Sequence, residues 1–262
     1  MLFSLFSIGL SMSFLLTASG VGREVSNHLE WSGTPIHTWN TTNLHSWRKH
    51  SGEMITLTFD DGPHRLYTPK ILDILQVHDI PATFFVLGNR IVKNEKILER
   101  MAKAGYEVGN HSYIHPQFSR ISTFRYIFEV WRTGIMIWST TGKYPLFFRF
   151  PYGDEDRRIG SFHHGPIIGW NVDANDWKEK NPKRLAKNIM RQTQSGSIIL
   201  LHDIREDTLN ALPSIIEGLE WEGYTFVPLR ELIHYDASRD STNIHYRGAT
   251  ASGWVQDRAI NP

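Results

Sequence analysis

The chain has 262 residues, 40% of them hydrophobic, so it can bury one large core, and one domain of α/β-barrel size is favoured over two small ones. The formal net charge is +1 and no basic cluster stands out, which argues against nucleic acid or an anionic membrane surface as a partner. The absence of cysteine excludes a disulfide framework, thiolate metal ligands and a cysteine nucleophile, so any metal must be held by His, Asp or Glu.

The chain begins with an apolar run over residues 1–16 that is interrupted by serines and a glycine. Ala18 and Gly20 follow as the small residues that a secretory cleavage site requires. No Lys or Arg precedes the run, so the alternatives are a retained membrane anchor or a chain start placed too late. A run of about 15 residues is short for a membrane span. We therefore predict a signal peptide over residues 1–20, a secreted or cell-envelope protein, and no stable membrane span after processing.

Residues 21–50 are polar, contain three tryptophans and show no sustained period, so we interpret them as a leader packed across the domain or a tether to it. The first predicted strand runs from residue 54 into two adjacent carboxylates, Asp60 and Asp61, and a Gly-Pro turn signal stops it. Side chains alternate along a strand, so the two carboxylates should point in different directions and can have two roles in one site. On these residues alone, a turn that caps the next helix is the alternative.

Predicted strands and helices then alternate along the chain. The strands cover residues 54–60, 82–87, 106–109, 146–149, 167–172, 197–201 and 224–227, and the helices cover 68–75, 95–103, 121–140, a segment from 182, and 209–221. Thr68 is expected to cap the first helix, with Pro69 at its first position. Residues 235–262 show no readable period. The alternation predicts an α/β fold, a distorted or incomplete (β/α) barrel with about seven parallel strands, rather than an open sheet.

Polar side chains follow most of the predicted strands. They are Asp60 and Asp61, His111 and His115, Arg149 and Tyr152, Asp173 and Asp176, and His202 and Asp203. Active sites of parallel α/β barrels form at the carboxyl ends of the strands, so we expect these groups to meet at one face of the sheet.

His111 and His115 are four residues apart, so a single helical turn would place them on one side of the backbone and close enough to bind one cation. Pro116 disfavours helix at His115, so this turn should be brief. Alone, such a pair is more often a surface or capping feature. Together with Asp61 it gives two imidazoles and one carboxylate with a position left for water, as in a catalytic Zn²⁺ site, although Co²⁺, Ni²⁺ or Mn²⁺ would accept the same ligands.

Five short motifs occur in a recognisable order. They are TFDDGP at Thr58, HSYIH at His111, RFPYG at Arg149, DANDW at Asp173 and LLHD at Leu200. In that order they resemble the motifs of the polysaccharide deacetylases, the NodB-homology or carbohydrate esterase family 4 (CE4) proteins. The resemblance implies a metal-dependent hydrolase that removes N-acetyl groups from peptidoglycan or a chitin-like polymer of N-acetylglucosamine. It also implies a catalytic domain over residues 51–234 and a C-terminal tail over residues 235–262.

The resemblance assigns the central chemistry to five residues. By it, Asp61, His111 and His115 hold the metal, and a water on that metal attacks the acetyl carbonyl carbon with Asp60 as the general base. His202 is the general acid that protonates the leaving amine or alcohol.

The resemblance also assigns supporting roles. Asp176 is the partner that raises the pKa of the histidine acid, and Arg149 orients the general base. The backbone N–H of Tyr152 stabilises the oxyanion, and Trp177 and Leu200 join Tyr152 in binding substrate around the acetyl group. If each residue is considered without the resemblance, Arg149 is better interpreted as an ordinary salt-bridge partner and Tyr152 as a core aromatic residue.

Several features leave other interpretations open. Phe150 stands where the family often has proline, and residues 154–166 are charged where members often have a clearer helix. Asp173 and Asp203 are interpreted as loop caps outside the catalytic set. The same site would also serve an O-acetyl (xylan) esterase or a small-amide hydrolase, and a non-catalytic glycan-binding relative is a third class. The expected partner is an N-acetylated polysaccharide.

Overall fold

A computed structural model of the protein describes residues 53–156, 158, 163, 165–234, 244–250 and 253–258. These residues all belong to one compact unit, Thr42–Pro262. The predicted signal peptide, residues 1–20, and the predicted leader, residues 21–50, lie outside the described residues. Within the described part, no helix is both long enough and apolar enough to span a bilayer.

Strands and helices alternate through most of the described chain, as the sequence predicts. In chain order they are β1 Glu53–Asp60, α1 Tyr67–Val77, β2 Ala82–Val86, α2 Gly88–Ile91, α3 Glu95–Lys103, β3 Glu107–Asn110, α4 Thr123–Thr141, β4 Ile167–Ile168, β5 Val172–Asp173, α5 Pro182–Gln192, β6 Ile198–His202, α6 Glu206–Trp221, β7 Tyr224–Phe226, α7 Leu229–Leu232, β8 Ile244–Thr250 and β9 Gly253–Arg258.

The main sheet is parallel, with the strand order β3-β2-β1-β6-β5, and β7 pairs with the first residues of β1. Bridges from Asn110 to Phe148 and from Phe148 to Ile167 continue it beyond β3 to β4. β8 then pairs in parallel with β4 and antiparallel with β9. The predicted α/β fold is confirmed, and among the described residues the sheet forms an incomplete barrel whose end strands do not pair, although the sequence favoured closure over an open sheet.

Two predicted strands are much shorter than expected. The strand over residues 146–149 is reduced to the bridges at Phe148, and the strand over residues 167–172 is split into β4 and β5. The guanidinium group of Arg149 donates to the backbone carbonyls of Ile168 and Gly169, at 3.0 and 2.9 Å. These two carbonyls therefore accept hydrogen bonds from a buried side chain at the point where the sequence predicts a continuous strand.

The C-terminal residues contain strands that the sequence does not reveal. β8 and β9 lie within residues 235–262, where no alternating pattern is readable. Tyr246 of β8 is 2% exposed and packs in a cluster with Phe85 and Phe147. One buried aromatic side chain is too weak a signal to predict a strand from sequence alone.

The start of α1 differs from the prediction in its capping. The helix begins at Tyr67, so Thr68 lies inside its first turn and Pro69 is its third residue. The hydroxyl of Thr68 accepts from the backbone N–H of His64 at 2.7 Å and donates to Oδ2 of Asp203 at 2.5 Å. Thr68 therefore ties the loop after β1 to the end of β6.

Alternate side chains of β1 have different environments, which positions the site. The hydrophobic side chains of Ile55, Leu57 and Phe59 join a core cluster with apolar residues of α1 and α6. On the opposite face, the hydroxyl of Thr58 and the carboxylate of Asp60 both accept hydrogen bonds from Arg149. The strand period thus directs Asp60 away from the helices.

Candidate active site

Asp60 is the last residue of β1 and is 3% exposed. Its Oδ1 accepts a hydrogen bond from Nη1 of Arg149 at 2.7 Å. Burial raises the pKa of Asp60 above its ordinary value, although the charge of Arg149 opposes the shift. In the parallel register of β1 and β6, Asp60 pairs with His202. Register partners in a parallel sheet point to the same face, so these two side chains share one site.

Arg149 is completely buried, which is unusual for a residue that carries a permanent charge. Its guanidinium carbon lies 4.1 Å from the centre of the Phe85 ring, and its nitrogens donate to Asp60, to Thr58 and to two backbone carbonyls. Arg149 is therefore a buried cation that makes four hydrogen bonds and fixes the carboxylate of Asp60.

Asp61 turns away from the strand direction. Its φ of 75° lies in the left-handed region, so the extended backbone ends here. Its Oδ1 lies 3.4 Å from Nε2 of His115 and 3.7 Å from Nε2 of His111. One possible ligand atom from each of these three residues lies within 4.8 Å of the others. The structure therefore brings the predicted metal ligands together.

The chemistry of these three groups suits a divalent cation. Oδ1 of Asp61 is buried without a hydrogen-bond partner among the described residues. Nδ1 of His111 lies 2.8 Å from the backbone carbonyl of Arg149, which places the proton on Nδ1 and leaves the lone pair of Nε2 facing the cluster. Burial lowers the pKa of His111 to about 3, and the neutral imidazole is the form that binds metals.

The two histidines are not brought together by a helical turn, so that prediction was wrong. Ser112 and His115 have φ values of 75° and 62°, and the segment between the histidines is a loop. The His111 and His115 rings nevertheless have centroids 5.0 Å apart. The left-handed residues fold the loop back on itself, which a helix-based spacing rule does not anticipate.

Glu129 supports this loop and was missed from the sequence. It is completely buried on α4, and its Oε2 accepts from the backbone N–H groups of Tyr113 and Ile114, both at 2.8 Å. Its Oε1 lies 2.7 Å from Nη2 of Arg125. The available signal was a single carboxylate on the inner face of a predicted helix whose other buried side chains are uncharged.

His202, at the end of β6, is paired with a completely buried carboxylate. Its Nδ1 lies 2.7 Å from Oδ1 of Asp176. Oδ2 of Asp176 accepts from the His202 backbone N–H and from the hydroxyl of Thr208. Burial alone would lower the pKa of His202, but Asp176, with Asp60 and Asp61, raises it to about 9. Sequence reasoning found the pair but missed Thr208.

The three predicted substrate-binding residues have different environments. Tyr152 is 69% exposed, so its interpretation as a core aromatic is wrong, and its ring lies edge-on to His115 with centroids 4.4 Å apart. Trp177 is 56% exposed after β5, whereas Leu200 is buried in β6. Tyr152 thus lies beside the cluster of Asp61, His111 and His115, and a pocket formed with Trp177 and Leu200 stays a prediction.

The two aspartates outside the predicted catalytic set also differ from each other. Asp173 accepts from the backbone N–H of Asn175 at 2.7 Å, which is the loop cap that the sequence predicts. Asp203 is fully buried and fills the space beside Gly62, where an added Cβ would clash with its carboxylate. Burial raises the pKa of Asp203 to about 7. Asp203 therefore packs beneath the turn that carries Asp61.

Comparison with known proteins identifies the family. The family model for polysaccharide deacetylase matches residues 47–162. A Bacillus cereus peptidoglycan-N-acetylglucosamine deacetylase is 32% identical over 214 residues, which cover 79% of this chain and 97% of that protein. The chain belongs to the polysaccharide deacetylase family. The resemblance drawn from the five motifs is thereby confirmed.

Other members of the polysaccharide deacetylase family differ in length and activity. The Bacillus subtilis peptidoglycan-N-acetylmuramic acid deacetylase PdaC is 37% identical over 189 residues, and the match covers 72% of this chain but only 40% of PdaC. The solved PdaC structure matches with a TM-score of 0.67 and 37% identity, covering 70% of this chain and 91% of that chain. A Bacillus anthracis protein described as a CE4 family pseudoenzyme matches with a TM-score of 0.65 and 33% identity, covering 70% of this chain and 66% of that one. The family therefore includes named deacetylases and a protein described as a pseudoenzyme.

Proposed function

We propose that this protein is a metal-dependent hydrolase that removes N-acetyl groups from a polysaccharide such as peptidoglycan or a chitin-like polymer of N-acetylglucosamine. The observation that carries the proposal is the convergence of Asp61, His111 and His115, whose possible ligand atoms lie within 4.8 Å of one another. A second carboxylate lies beside them, because Oδ2 of Asp60 is 3.5 Å from Nε2 of His111. The names of the peptidoglycan deacetylase relatives support the substrate class. A cell-wall substrate agrees with a secreted or envelope location.

Asp61, His111 and His115 would hold the cation, most simply Zn²⁺, with Co²⁺, Ni²⁺ and Mn²⁺ as other ions that this ligand set accepts. When bound, the ion would supply a Lewis acid and lower the pKa of a coordinated water. His111 is suited to this role because its Nδ1 is occupied by a backbone carbonyl and its ring is neutral.

Asp60 would act as the general base. Arg149 anchors its Oδ1, while its Oδ2 lies 3.5 Å from Nε2 of His111 and would accept a proton from water. Burial raises the pKa of Asp60, which makes the carboxylate a stronger base than an exposed one. Arg149 keeps the carboxylate in one orientation through its short ion pair.

His202 would act as the general acid. Asp176 binds its Nδ1, so Nε2 is the nitrogen available to protonate the leaving amine. With a pKa raised to about 9, the imidazole carries this proton at neutral pH. The backbone N–H of Tyr152 would stabilise the charge that develops on the carbonyl oxygen, an effect of about 3 kcal/mol per donor. Trp177 and Leu200 would border the acetyl group.

Acetate release tests the proposal. Peptidoglycan, chitooligosaccharides and acetylxylan are each incubated with the protein, with and without a chelator, and with Zn²⁺ restored after chelation. We expect release from an N-acetylated glycan that stops with chelator and returns with Zn²⁺. Release from acetylxylan alone would instead identify an O-acetyl esterase. Glycan binding without any release after metal addition would place the protein with the non-catalytic relatives.

A further inference from the structure

Helix α4 has a second apolar face that no described residue covers. Its inner face is buried, but five hydrophobic side chains on the opposite side are exposed, and we call them the outer stripe of α4. They are Phe124, Ile127, Trp131, Ile135 and Trp138, with exposed fractions of 83, 37, 58, 36 and 53%. A helix that is apolar on both faces is normally packed on both faces. The outer stripe therefore indicates an interaction surface.

The charged groups of α4 are all directed elsewhere. The helix contains three charged residues, Arg125, Glu129 and Arg132. Arg125 is paired with the buried Glu129, at 2.7 Å. The guanidinium carbon of Arg132 lies 3.9 Å from the centre of the Tyr113 ring. The outer stripe thus contains neither a charge nor a hydroxyl group, which disfavours a sugar as its occupant because sugar recognition needs polar partners beside the aromatic rings.

The spacing of the outer stripe is symmetric about its central residue. Phe124 and Trp138 each lie seven positions from Trp131, and Ile127 and Ile135 each lie four positions from it. A two-fold axis through Trp131, perpendicular to the helix, would place Phe124 of one copy against Trp138 of the second copy. The same axis would pair Ile127 with Ile135 and Trp131 with itself. A self-complementary surface of this kind is the requirement for a two-fold interface.

We propose that the outer stripe of α4 is the interface of an antiparallel, two-fold symmetric dimer of this chain. The three aromatic side chains alone expose roughly 400 Å² per copy, which is about half of the ~800 Å² that each partner contributes to a standard interface. The two isoleucines and the half-buried Phe128 extend the apolar area on the same helix. This area suits a concentration-dependent dimer. A second copy presents the same stripe, so each of its side chains would meet an apolar side chain of the partner.

Cysteine cross-linking of the full chain tests the register. The protein has no cysteine, so each single-cysteine variant carries one thiol. Trp131→Cys should form a disulfide-linked dimer under mild oxidation, because the two-fold axis brings both copies of this position together. Trp221→Cys is the matched control, since Trp221 is 91% exposed on α6, outside the stripe. It should cross-link only at the rate of random collision.

The direction of pairing is tested with two further variants. Phe124→Cys and Trp138→Cys should each fail to cross-link alone, because like positions would lie about 21 Å apart along the helix. An equimolar mixture of the two should form a cross-linked heterodimer. Cross-linking of Phe124→Cys with itself would indicate parallel helices and overturn the antiparallel dimer.

Sedimentation equilibrium gives an independent measurement. At about 100 µM, well above a micromolar Kd, the unmodified chain should be dimeric. Trp131→Glu should weaken the dimer at least about tenfold, because the axis places two like charges together, whereas Trp221→Glu should leave it unchanged. A dimer that survives Trp131→Glu, or a chain that stays monomeric, overturns the proposal. If the chain is monomeric, the reaction of the Trp131→Cys thiol with maleimide shows what occupies the stripe. A shielded thiol would show that another part of the same chain covers the stripe, and a reactive thiol would show that the stripe is unoccupied.

Discussion

Nδ1 of His202 lies 2.7 Å from Oδ1 of Asp176, and the second oxygen of the same carboxylate accepts the backbone N–H of His202. Asp176 is completely buried, so its charge interacts with the imidazole with little screening by water. Burial of the ring works against the imidazolium, but the carboxylate outweighs it and raises the pKa of His202 to about 9. The imidazole therefore keeps its proton through neutral pH.

Asp176→Asn should move the alkaline limit of deacetylation to lower pH. A general acid must be protonated, so activity falls as pH rises through the pKa of His202. Without the carboxylate, this pKa should return toward its ordinary value of 6.5, and the alkaline limb of kcat/KM should shift by more than one pH unit. Asp173→Asn is the control, because Asp173 caps a loop. If the alkaline limb of kcat/KM is unchanged in Asp176→Asn, His202 is not the acid whose titration sets that limb.

Asp60→Asn should reduce acetate release by about 10²–10⁴-fold, the contribution typical of a general base. The amide oxygen can still accept from Arg149, so the fold and the three metal ligands should persist. Zinc titration calorimetry should accordingly give an affinity close to that of the unmodified protein. Turnover at the normal rate with metal bound would contradict the assignment of Asp60.

His115→Ala should weaken zinc binding by more than the 10–100-fold that is typical for loss of a supporting residue, and should abolish chelator-sensitive activity. Nε2 of His115 lies 3.4 Å from Oδ1 of Asp61, and alanine supplies no ligand atom in place of the imidazole. His78→Ala is the matched control, since His78 ends α1. Equal zinc affinity in the two variants would argue against the ligand set.

Much of this architecture follows from sequence periodicity. The helix predicted over residues 95–103 coincides with α3, because its apolar residues recur at helical spacing between a polar start and Gly105. The site residues were also predictable as a group, since polar side chains after parallel strands meet at one edge of the sheet. Asp60 and His202 are such a pair, in register on β1 and β6.

The failures have local physical causes. A four-residue spacing suggested a helical turn for His111 and His115, whereas left-handed φ values at Ser112 and His115 form a loop. The hydroxyl of Thr68 suggested a helix cap, but it binds Asp203, which is 135 residues away in the chain. Contacts over such separations leave no pattern in a single sequence, so the packing of Asp203 was not visible. The only signal for Glu129 was one carboxylate on the inner face of a predicted helix, because its loop partners lie 15 and 16 residues away.

Glu129→Ala should lower zinc affinity without removing a metal ligand. Its carboxylate binds the backbone N–H groups of Tyr113 and Ile114, which lie between His111 and His115. Loss of these bonds leaves two N–H groups unpaired and should destabilise the loop by about 1–3 kcal/mol. Zinc affinity should fall by about 10–100-fold, as for other supporting residues. Glu99→Ala on α3, where Glu99 pairs with Lys103 at 3.1 Å, is the control and should bind zinc normally.

Asp203 should make stability depend on pH in the metal-free protein. Its pKa rises from 3.8 to about 7, mainly through burial and against the hydrogen bond from Thr68, so the folded state holds a proton that the unfolded chain releases. The free energy of unfolding should therefore fall as pH rises from about 4 to 7. Asp203→Asn cannot ionise and should lack this component of the decline while keeping the size of the side chain. Thr68→Val should cost about 1–3 kcal/mol, because the buried carboxyl then loses its partner. Urea unfolding across this pH range, with a chelator present, measures both effects, and parallel curves for the unmodified protein and Asp203→Asn would show that Asp203 is ionised throughout.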